Sequence, residues 1–521
     1  MRHVAVLSAL IVFAIAAPAV AAPPTFSGPT PFDTGSFTFS LAVADLDADG
    51  RPDLVASSSD SMGTPALSVL RNTTAAGATT PSFAAPVPLS GAASVGWSLA
   101  AADLDGDGKP DLISANAGPP AGDGNAVSVR INTTAAGATT PTFAGPVVFA
   151  AGEVPRSVAA VDVNADGRPD LVTANEEGTD GNSVLMNTTT TPGAPAFSAP
   201  AGFEAGDTPR SLVAVDLNRD ASPDLVTANA GSSGAASVTV LRNTTAAGDS
   251  TPSFAGPTPF DAGAFPRWVA ASDVSGDGRP DLVTPDFDNA VSVLVNASAR
   301  GAAPSFEDAV TRPAGESPQA VAATDVNRDG KPDLVTANSF GPGTTVLVNA
   351  TAPGEELPAF AAPAGFGAGT SPFAVIAADL NADARPDLVT ANQSSGTILL
   401  NTTPLPLTAG PSSLAFGSQA LGTIGAAKTV TLSNSTPGTL PVAVDLSGHA
   451  DDMLVSRNTC GDGVPGDGAC SIAIRFAPGA LGARAATLVL DPAGPQRVEL
   501  ALTGVGVAPP QSPPPRHPGR P

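Results

Sequence analysis

The sequence predicts an all-β fold: a seven-bladed β-propeller followed by an immunoglobulin-like β-sandwich. The chain has 54 Gly and 54 Pro among 521 residues, which is typical of many turns and short strands rather than long helices. A nine-residue, aspartate-rich segment recurs seven times in the first 400 residues. Residues 412–508 lack this segment and contain about seven short β-rich runs, in a size typical of an immunoglobulin-like sandwich.

Residues 1–22 have the pattern of a cleaved signal peptide. Arg2 precedes an apolar run from Val4 to Ala17, and small residues follow it. A membrane anchor is the alternative, but the apolar run ends at Pro18 and is short for a span of about 20 residues. We therefore expect a secreted, extracellular or periplasmic protein, either free or associated with the cell surface, with no membrane span after cleavage.

The aspartate-rich segments define a repeat that covers residues 23–403. Successive segments begin 58, 59, 54, 57, 52 and 54 residues apart. This period slightly exceeds the roughly 40–50 residues of known propeller blades and leaves room for four short strands and a longer loop. The segments begin at Asp45, Asp103, Asp162, Asp216, Asp273, Asp325 and Asp379.

Each repeat is expected to contain four strands. An Ala-rich run before the aspartate segment predicts an inner strand, where bulky side chains would collide. A Pro-Asp-Leu-Val-Thr run after the segment predicts the second strand, and a Val/Leu run ending in Asn predicts the third. The fourth strand is expected to begin at Phe26, Phe83, Phe143, Phe197, Phe254, Phe306 or Phe360.

The phase of the repeats favours a closed ring. Phe26 precedes the first aspartate segment, while the last repeat stops after its third strand near Asn401. The N-terminal strand would therefore complete the last blade and protect an edge that could template aggregation. An open solenoid is the alternative.

The repeated motif is similar to known families. Asp45-Leu-Asp-Ala-Asp-Gly-Arg-Pro-Asp53, followed by a Val-Leu-x-Asn strand and a Phe-led strand, resembles the FG-GAP/VCBS repeats of integrin α-subunit-like propellers over residues 24–403. The resemblance implies calcium-binding loops and a ring that serves in adhesion and recognition, sometimes as a module appended to an enzyme. In residues 412–508, Leu414–Gly417 and Ile474–Pro478 resemble the choice-of-anchor D and ASH-type sandwiches.

The spacing of the oxygen side chains also indicates calcium. Oxygen ligands at positions 1, 3, 5 and 9 of a tight loop can build a shell of 6–8 oxygens, and such ligands favour Ca²⁺ over zinc or copper. We expect one Ca²⁺ per blade, up to seven in all. The candidate ligands are Asp45, Asp47, Asp49 and Asp53; Asp103, Asp105, Asp107 and Asp111; Asp162, Asn164, Asp166 and Asp170; Asp216, Asn218, Asp220 and Asp224; Asp273, Ser275, Asp277 and Asp281; Asp325, Asn327, Asp329 and Asp333; and Asp379, Asn381, Asp383 and Asp387.

The seven segments, numbered here as loops 1 to 7, are not equal. Loops 1 and 2 have four carboxylates each and are expected to bind most tightly. Loop 5 has Ser275 at position 3, and loops 4 and 7 have Ala221 and Ala384 where Gly would ease a left-handed turn, so these three are the weakest candidates. The alternative is that the side chains only cap turns without metal.

Other signals favour structural roles. Asn-x-Ser/Thr recurs where each third strand ends, which favours turn chemistry over glycosylation. Trp97 and Trp268 are expected to pack rather than to bind ligand. Cys460 and Cys470 lie close together in an exported chain and predict a local disulfide. Residues 404–411 are expected to be a linker and residues 509–521 a disordered Pro-rich tail.

Charge and residue usage argue against two classes of function, nucleic-acid binding and catalysis. The net charge of −24 argues against nucleic acid as a partner. The chain has three His and no Tyr, and no nucleophile, base and orienting acid can be assembled, so we expect a protein that is not an enzyme. The leading hypothesis is a monomeric scaffold that recognises an extracellular protein or glycan. The alternatives are the propeller of a carbohydrate-active hydrolase or lyase, with paired acids in its central funnel, and a passive cell-envelope structural protein.

Overall fold

A computed structural model describes most of the chain. The described residues are 23–34, 37–59, 65–89, 96–117, 125–231, 237–352, 354–404, 407–434, 439–466, 468–492 and 498–509. The predicted signal peptide lies outside them, as does the Pro-rich tail beyond residue 509.

The described residues form an all-β structure, as the composition predicts. They contain 36 strands and one 3₁₀ turn, Ala450–Asp452. None of their helical segments is long and apolar enough to cross a membrane.

Residues 30–399 form seven four-stranded antiparallel sheets. The first strand, β1 (Thr30–Phe32), belongs to the last of them. Sheet 1 contains β2 (Phe37–Ala44), β3 (Asp53–Ser59), β4 (Pro65–Leu70) and β5 (Val87–Leu89). Sheet 2 contains β6 (Gly96–Ala102), β7 (Asp111–Ala117), β8 (Asn125–Arg130) and β9 (Val147–Ala150). Sheet 3 contains β10 (Pro155–Val161), β11 (Asp170–Asn175), β12 (Asn182–Leu185) and β13 (Ala201–Phe203).

The remaining four sheets repeat this order. Sheet 4 contains β14 (Pro209–Val215), β15 (Asp224–Asn229), β16 (Val238–Asn243) and β17 (Phe254–Phe260). Sheet 5 contains β18 (Ala270–Ser272), β19 (Asp281–Asp286), β20 (Ala290–Leu294) and β21 (Val310–Pro313). Sheet 6 contains β22 (Pro318–Thr324), β23 (Asp333–Asn338), β24 (Gly343–Leu347) and β25 (Ala364–Gly367). Sheet 7 contains β26 (Pro372–Ala378), β27 (Asp387–Asn392), β28 (Gly396–Leu399) and β1.

The fourth strands differ from the sequence expectation. Only β17 begins at its Phe. In the other six repeats the Phe makes an isolated bridge with the Asn that ends the third strand, and the fourth strand begins several residues later. A register shift interrupts the pairing at this point: in sheet 1 the partners change from Asn72–Phe83 to Val69–Val87, and in sheet 4 the shift lies between Val240 and Arg242.

The second strand of each sheet lies at the centre of the packing. Its residues are buried on both faces, for example throughout Asp170–Asn175. A strand covered on both faces has a continuous apolar run rather than an alternating one. The recurrent Leu-Val-Thr-Ala run follows from this burial.

Neighbouring sheets share hydrophobic clusters. Six clusters join sheet 1 to 2, 2 to 3, 3 to 4, 4 to 5, 5 to 6 and 6 to 7. A seventh contains Leu41 and Leu54 of sheet 1 together with Val389 and Ile398 of sheet 7. Residues at the two ends of this 370-residue region therefore share one core.

The C-terminal unit has two four-stranded sheets. One has the order β29 (Leu407–Gly410), β31 (Lys428–Asn434), β34 (Ala469–Phe476) and β33 (Met453–Asn458). The other has the order β30 (Ser413–Ala420), β36 (Val498–Val507), β35 (Gly482–Pro492) and β32 (Val442–Gly448). Both sheets contribute to one hydrophobic cluster, which includes Leu432, Phe476 and Leu488. Strand β29 lies within the segment expected to be a linker, and Cys460 and Cys470 form a disulfide.

Candidate metal-binding loops

The aspartate loops connect the first and second strands of each sheet, and their own carboxylates shape the turn. In loop 1, Asp45 Oδ1 accepts a hydrogen bond from the Asp49 N–H and Oδ2 accepts one from the Gly50 N–H. Asp47 Oδ1 also accepts from the Asp49 N–H, and Asp49 Oδ1 accepts from the Arg51 N–H. The position-1 contacts recur in all seven loops. The side chains at positions 1, 3 and 5 therefore converge on one short turn.

Each loop turns through left-handed backbone at position 6. Gly167 has φ of 87°, and Ala221 and Ala384, at the same position of loops 4 and 7, have φ of 72° and 65°. A residue with a Cβ is strained in this conformation by roughly 1 kcal/mol. Loops 4 and 7 therefore have the backbone strain that the sequence predicts.

Two loops bring three carboxylates together. Carboxylate oxygens of Asp45, Asp47 and Asp49 lie within 4.8 Å of one another, and so do those of Asp103, Asp105 and Asp111. Such clusters of hard oxygen ligands have the chemistry that calcium prefers. These are loops 1 and 2, where the sequence places four carboxylates each.

The position-9 aspartate is the most buried group of each loop. In loop 1, Asp53 is fully buried; its Oδ2 accepts from the Leu46 N–H at 3.1 Å and its Oδ1 from the Asn72 N–H at 2.7 Å. Equivalent pairs of bonds hold Asp111, Asp170, Asp224, Asp281, Asp333 and Asp387. The residue predicted as a closing ligand thus also ties the loop to the third strand.

Burial raises the pKa of these carboxyl groups. Desolvation, opposed by the two backbone hydrogen bonds and reinforced by neighbouring aspartates, raises the pKa of Asp53 to about 6 and that of Asp333 to about 8. Burial also raises the pKa to about 6 at Asp111 and Asp170 and to about 7 at Asp224 and Asp387. The pKa of Asp281 is likewise raised above its usual value. Seven buried carboxylates without a cation are therefore costly in their charged form.

Asparagine at position 3 links neighbouring sheets. Asn164 Nδ2 donates to the Asp249 carbonyl at 2.8 Å, Asn218 Nδ2 to the Ala302 carbonyl at 3.0 Å, and Asn381 Nδ2 to the Ala78 carbonyl at 2.9 Å. Each acceptor lies in the turn that follows the third strand of the next sheet. A carboxylate cannot donate these bonds. Compared with the Asp of loops 1 and 2, the Asn at position 3 of loops 3, 4 and 7 lacks a charged oxygen but makes a hydrogen bond to the neighbouring sheet.

The basic residue at position 7 neutralises part of the charge at position 5. Arg168 Nη2 lies 2.6 Å from Asp166 Oδ2, and Arg385 Nη2 lies 2.6 Å from Asp383 Oδ2. Arg51 and Arg279 pair with Asp49 and Asp277 in the same way, as Lys109 does with Asp107. These pairs are partly exposed and leave the buried position-9 carboxylate unpaired.

A second set of residues comprises the asparagines at or just beyond the ends of the third strands. The sequence did not predict that these asparagines act together. In sheet 5, Asn296 Nδ2 donates to the Pro280 carbonyl of its own loop and to the Leu217 carbonyl of loop 4, both at 2.9 Å. Its Oδ1 accepts from the Ser298 N–H at 2.8 Å. The contact to the preceding loop recurs at Asn72, Asn132, Asn187, Asn243, Asn349 and Asn401.

These asparagines, called the asparagine latch below, connect all seven sheets. Asn132 reaches loop 1, and each later asparagine reaches the loop of the sheet before it. Asn72 of sheet 1 reaches the Leu380 carbonyl of loop 7 at 2.9 Å. The asparagines are buried, and six of the seven amide nitrogens donate two bonds each, which favours the expected turn role of the Asn-x-Ser/Thr motifs over glycosylation. The signal that could have revealed the latch is the recurrence of Asn itself at one repeat phase.

The two tryptophans pack against neighbours. Trp268 contacts hydrophobic clusters of sheets 5, 6 and 7. Trp97 lies within β6; its ring centroid is 4.9 Å from that of Phe39, and the Arg156 guanidinium carbon lies 3.9 Å from its centroid. Trp97 remains 37% exposed.

The raised pKa values predict an unusual pH dependence without metal. Because the folded-state pKa of the position-9 aspartates lies above the usual 3.8, the native state binds more protons than the unfolded state between about pH 4 and 8. In excess EGTA, the melting temperature should therefore rise by more than about 3 °C as the pH falls from 8 to 5. In saturating calcium the rise should vanish, because protons then compete with the metal. A metal-free protein whose stability falls over this range would contradict the pKa assignment.

The fold and the loops define an all-β repeat protein in which aspartate-rich turns join the inner strands. The FG-GAP-like repeat model matches residues 162–227, 216–284, 273–336 and 325–390, and the FG-GAP repeat model matches residues 95–131. The chain is therefore an FG-GAP repeat protein, as the resemblance of its motifs implied.

Comparison with individual proteins adds little to this assignment. No curated protein matches the sequence. Two similar solved structures are the Tc holotoxin pore of Photorhabdus luminescens and a humanized mutant of Polycomb Repressive Complex 2 from Chaetomium thermophilum. The first is 14% identical with a TM-score of 0.35, and the match covers 84% of this chain and 22% of that chain. The second is 12% identical with a TM-score of 0.39, and the match covers 63% of this chain and 71% of that chain.

Proposed function

We propose that residues 23–403 form a closed seven-bladed propeller whose aspartate loops bind calcium, and that this propeller is an exported scaffold for recognition or adhesion. Its ligand would be an extracellular protein or a glycan, and the chain would have no catalytic activity of its own. The observation that carries the proposal is the sevenfold recurrence of an oxygen-rich loop with a buried, unpaired carboxylate at position 9.

Contacts between the two ends of residues 23–403 support closure. The N-terminal strand β1 completes sheet 7 by pairing with β28, and the Thr25 N–H donates to Thr403 Oγ1 at 3.0 Å. The shared cluster of Leu41 and Val389 and the latch from Asn72 to Leu380 then join sheet 1 to sheet 7. An open array would leave these groups at free edges, where unpaired strands invite aggregation.

The donor set and the charge of the loops support calcium. FG-GAP repeats often bind this ion, and the clusters in loops 1 and 2 supply three carboxylates each. A cation held at positions 1, 3, 5 and 9 would compensate the buried position-9 charge, which pairs with no Lys or Arg among the residues that the structure describes. Loops 1 and 2 would bind most tightly, and loops 4, 5 and 7 most weakly.

Export and the C-terminal unit complete the proposal. FG-GAP repeats are typical of extracellular proteins, and the Cys460–Cys470 disulfide suits an oxidising compartment. The eight strands of the two sheets share one core around Phe476, which supports an immunoglobulin-like sandwich with one strand more than the sequence predicts. This unit would serve as a spacer or docking module.

A binding and turnover assay tests the proposed function. The calcium-loaded protein is immobilised and offered a panel of extracellular polysaccharides and proteins, with the EGTA-treated protein as the matched control. We expect calcium-dependent retention of at least one ligand without cleavage. Release of shortened glycan would indicate a hydrolase or lyase instead, and retention of nothing would indicate a passive structural protein.

A further inference from the structure

A ring of residues lies at the β-bulges of the innermost strands. Six of these strands have a register shift near their start. Bulges re-aim a side chain and are frequent beside binding sites. The bulged residues are Phe39, Trp97, Arg156, Arg210, Gln319 and Phe373, and Arg267 holds the equivalent place before β18. These seven residues are called the bulge ring below.

Members of the bulge ring contact one another in sheet order. Besides the Phe39–Trp97–Arg156 stack, the Glu176 carboxylate pairs with both Arg156 and Arg210, the latter at 2.5 Å. Arg267 Nη1 donates to Gln319 Oε1 at 2.9 Å. Side chains from different sheets therefore meet in one place.

The bulge ring lies at the end of the sheets opposite the aspartate loops. In sheet 1, Ala44 pairs with Asp53 at the loop end, and Phe37 pairs with Ser59 at the other end. In the part of the chain that the structure describes, every exposed aromatic side chain belongs to this other end. These side chains are Phe37, Trp97, Phe265, Phe287, Phe340 and Phe373.

The backbone beside the bulge ring is strained. Val154, Thr208, Phe265, Ser317 and Ser371 each precede a proline and have φ between 48° and 57°. This conformation is unfavourable for residues with a Cβ, and such strain concentrates at functional sites. In five of the seven repeats, the same unfavourable turn and its proline therefore orient the bulge-ring residue that comes directly after the proline.

Positive charge is concentrated inside the bulge ring. Arg156 and Arg210 share the carboxylate of Glu176, while the guanidinium group of Arg267 bonds to the neutral side chain of Gln319. Arg156 Nη1 and Arg210 Nε are buried and donate to no atom of the described chain. Burial lowers the pKa of Arg210, Glu176 raises it, and the charges of Arg156 and Arg267 lower it further. Because one carboxylate is paired with two of the three guanidinium groups and the third bonds to a neutral amide, the cluster retains positive charge that an anion can compensate.

We propose that the bulge ring binds a carboxylated sugar residue of a glycan. Arg210 and Arg267 would take the carboxylate, because a guanidinium matches its two oxygens. The ring of Phe287, 52% exposed and 5.9 Å from the Arg267 guanidinium carbon, would stack on the apolar C–H face of the sugar. This inference rests on the proposed recognition function and assigns its site and ligand class.

Charge around the bulge ring favours a localised anion over a polyanion such as nucleic acid. Acidic residues also lie in the loops at the same end of the sheets, among them Glu153, Glu177, Asp180, Asp207, Asp288 and Glu316. A long polyphosphate would meet these carboxylates and the net charge of −24. A single sugar acid has one negative charge, which can lie against the arginines of the bulge ring and away from the acidic loops.

Calorimetric titration of the calcium-loaded protein tests the proposal. The probes are short neutral oligosaccharides that each carry one galacturonate, glucuronate, mannuronate or guluronate residue, together with the carboxyl-reduced neutral form of each, and a single-stranded oligothymidylate. We expect at least one acid to bind at least tenfold more tightly than its neutral form. Arg267→Gln should weaken that binding at least tenfold, while Arg475→Gln, an exposed arginine of the C-terminal unit, should leave it unchanged. Both variants should melt at the same temperature as the parent.

The outcomes separate this proposal from the broader one. Equal binding of acid and neutral forms in every pair, or preferred binding of the oligothymidylate, would overturn the assignment of a sugar acid. Acid binding that survives Arg267→Gln would also overturn it, although the protein would remain a glycan-recognition scaffold with its site elsewhere. Failure of the scaffold proposal itself would appear as retention of nothing in the broader panel.

Discussion

In excess EGTA the protein is expected to unfold at a temperature at least about 5 °C lower than in millimolar calcium at pH 7.5. A site filled at about ten times its dissociation constant stabilises the fold by about 1.4 kcal/mol. Loops 1 and 2 alone would then contribute about 3 kcal/mol, and seven loops would approach 10 kcal/mol, which is the size of a whole domain's stability. Scanning calorimetry in the two buffers measures the difference.

Matched variants separate metal binding from turn capping. Asp103→Asn in loop 2 and Asp216→Asn in loop 4 make the same change: each removes the charge and replaces one of the two oxygens that accept from backbone N–H groups with an NH2 group. In EGTA the two variants should lose similar stability. In calcium Asp103→Asn should lose more, because loop 2 has the three-carboxylate cluster. Equal losses in both buffers would leave the loops as capped turns without metal.

Removal of one residue of the asparagine latch should cost about 3 kcal/mol. Asn296→Ala leaves the buried carbonyls of Pro280 and Leu217 and the Ser298 N–H without their partner. Each buried polar group left unsatisfied costs about 1–3 kcal/mol, and partial rearrangement lowers the sum. Denaturant unfolding of the calcium-loaded protein measures the loss.

The same substitution at Asn72 tests ring closure. Asn72 Nδ2 donates to the Pro52 carbonyl of its own loop and to the Leu380 carbonyl of loop 7, so a closed ring predicts the same loss as at Asn296. Thr73→Ala, which removes an exposed hydroxyl contact to Ser82, is the control and should change stability by less than about 0.5 kcal/mol. A loss at Asn72 well below that at Asn296 would contradict contact between sheets 1 and 7.

Much of the architecture follows from local sequence. The Leu-Val-Thr-Ala run predicts strand β11 because a doubly buried strand needs continuous apolar residues, and aspartates two apart predict the turn before it. The left-handed φ of Ala221 and Ala384 could also be predicted from the sequence, because their loops have the same length as the loops with glycine at that position.

The missed features depend on partners distant in sequence. The asparagine latch joins groups 75 to 308 residues apart, so Asn72 looks like an ordinary turn residue until Leu380 is beside it. Arg156 and Arg210 likewise look like surface residues until Glu176 and the bulges bring them together. The offset between the Phe residues and the fourth strands has a local origin instead, because a register shift separates the bridge of Phe306 and Asn296 from the ladder that follows.

Calcium stoichiometry tests the central claim most directly. Equilibrium dialysis of the purified protein against radioactive calcium, with magnesium in the buffer to fill weak nonspecific sites, counts the bound ions per chain. We expect at least two ions, from loops 1 and 2, and up to seven as calcium rises into the millimolar range. Binding of none at millimolar calcium would contradict the claim that these loops are metal sites.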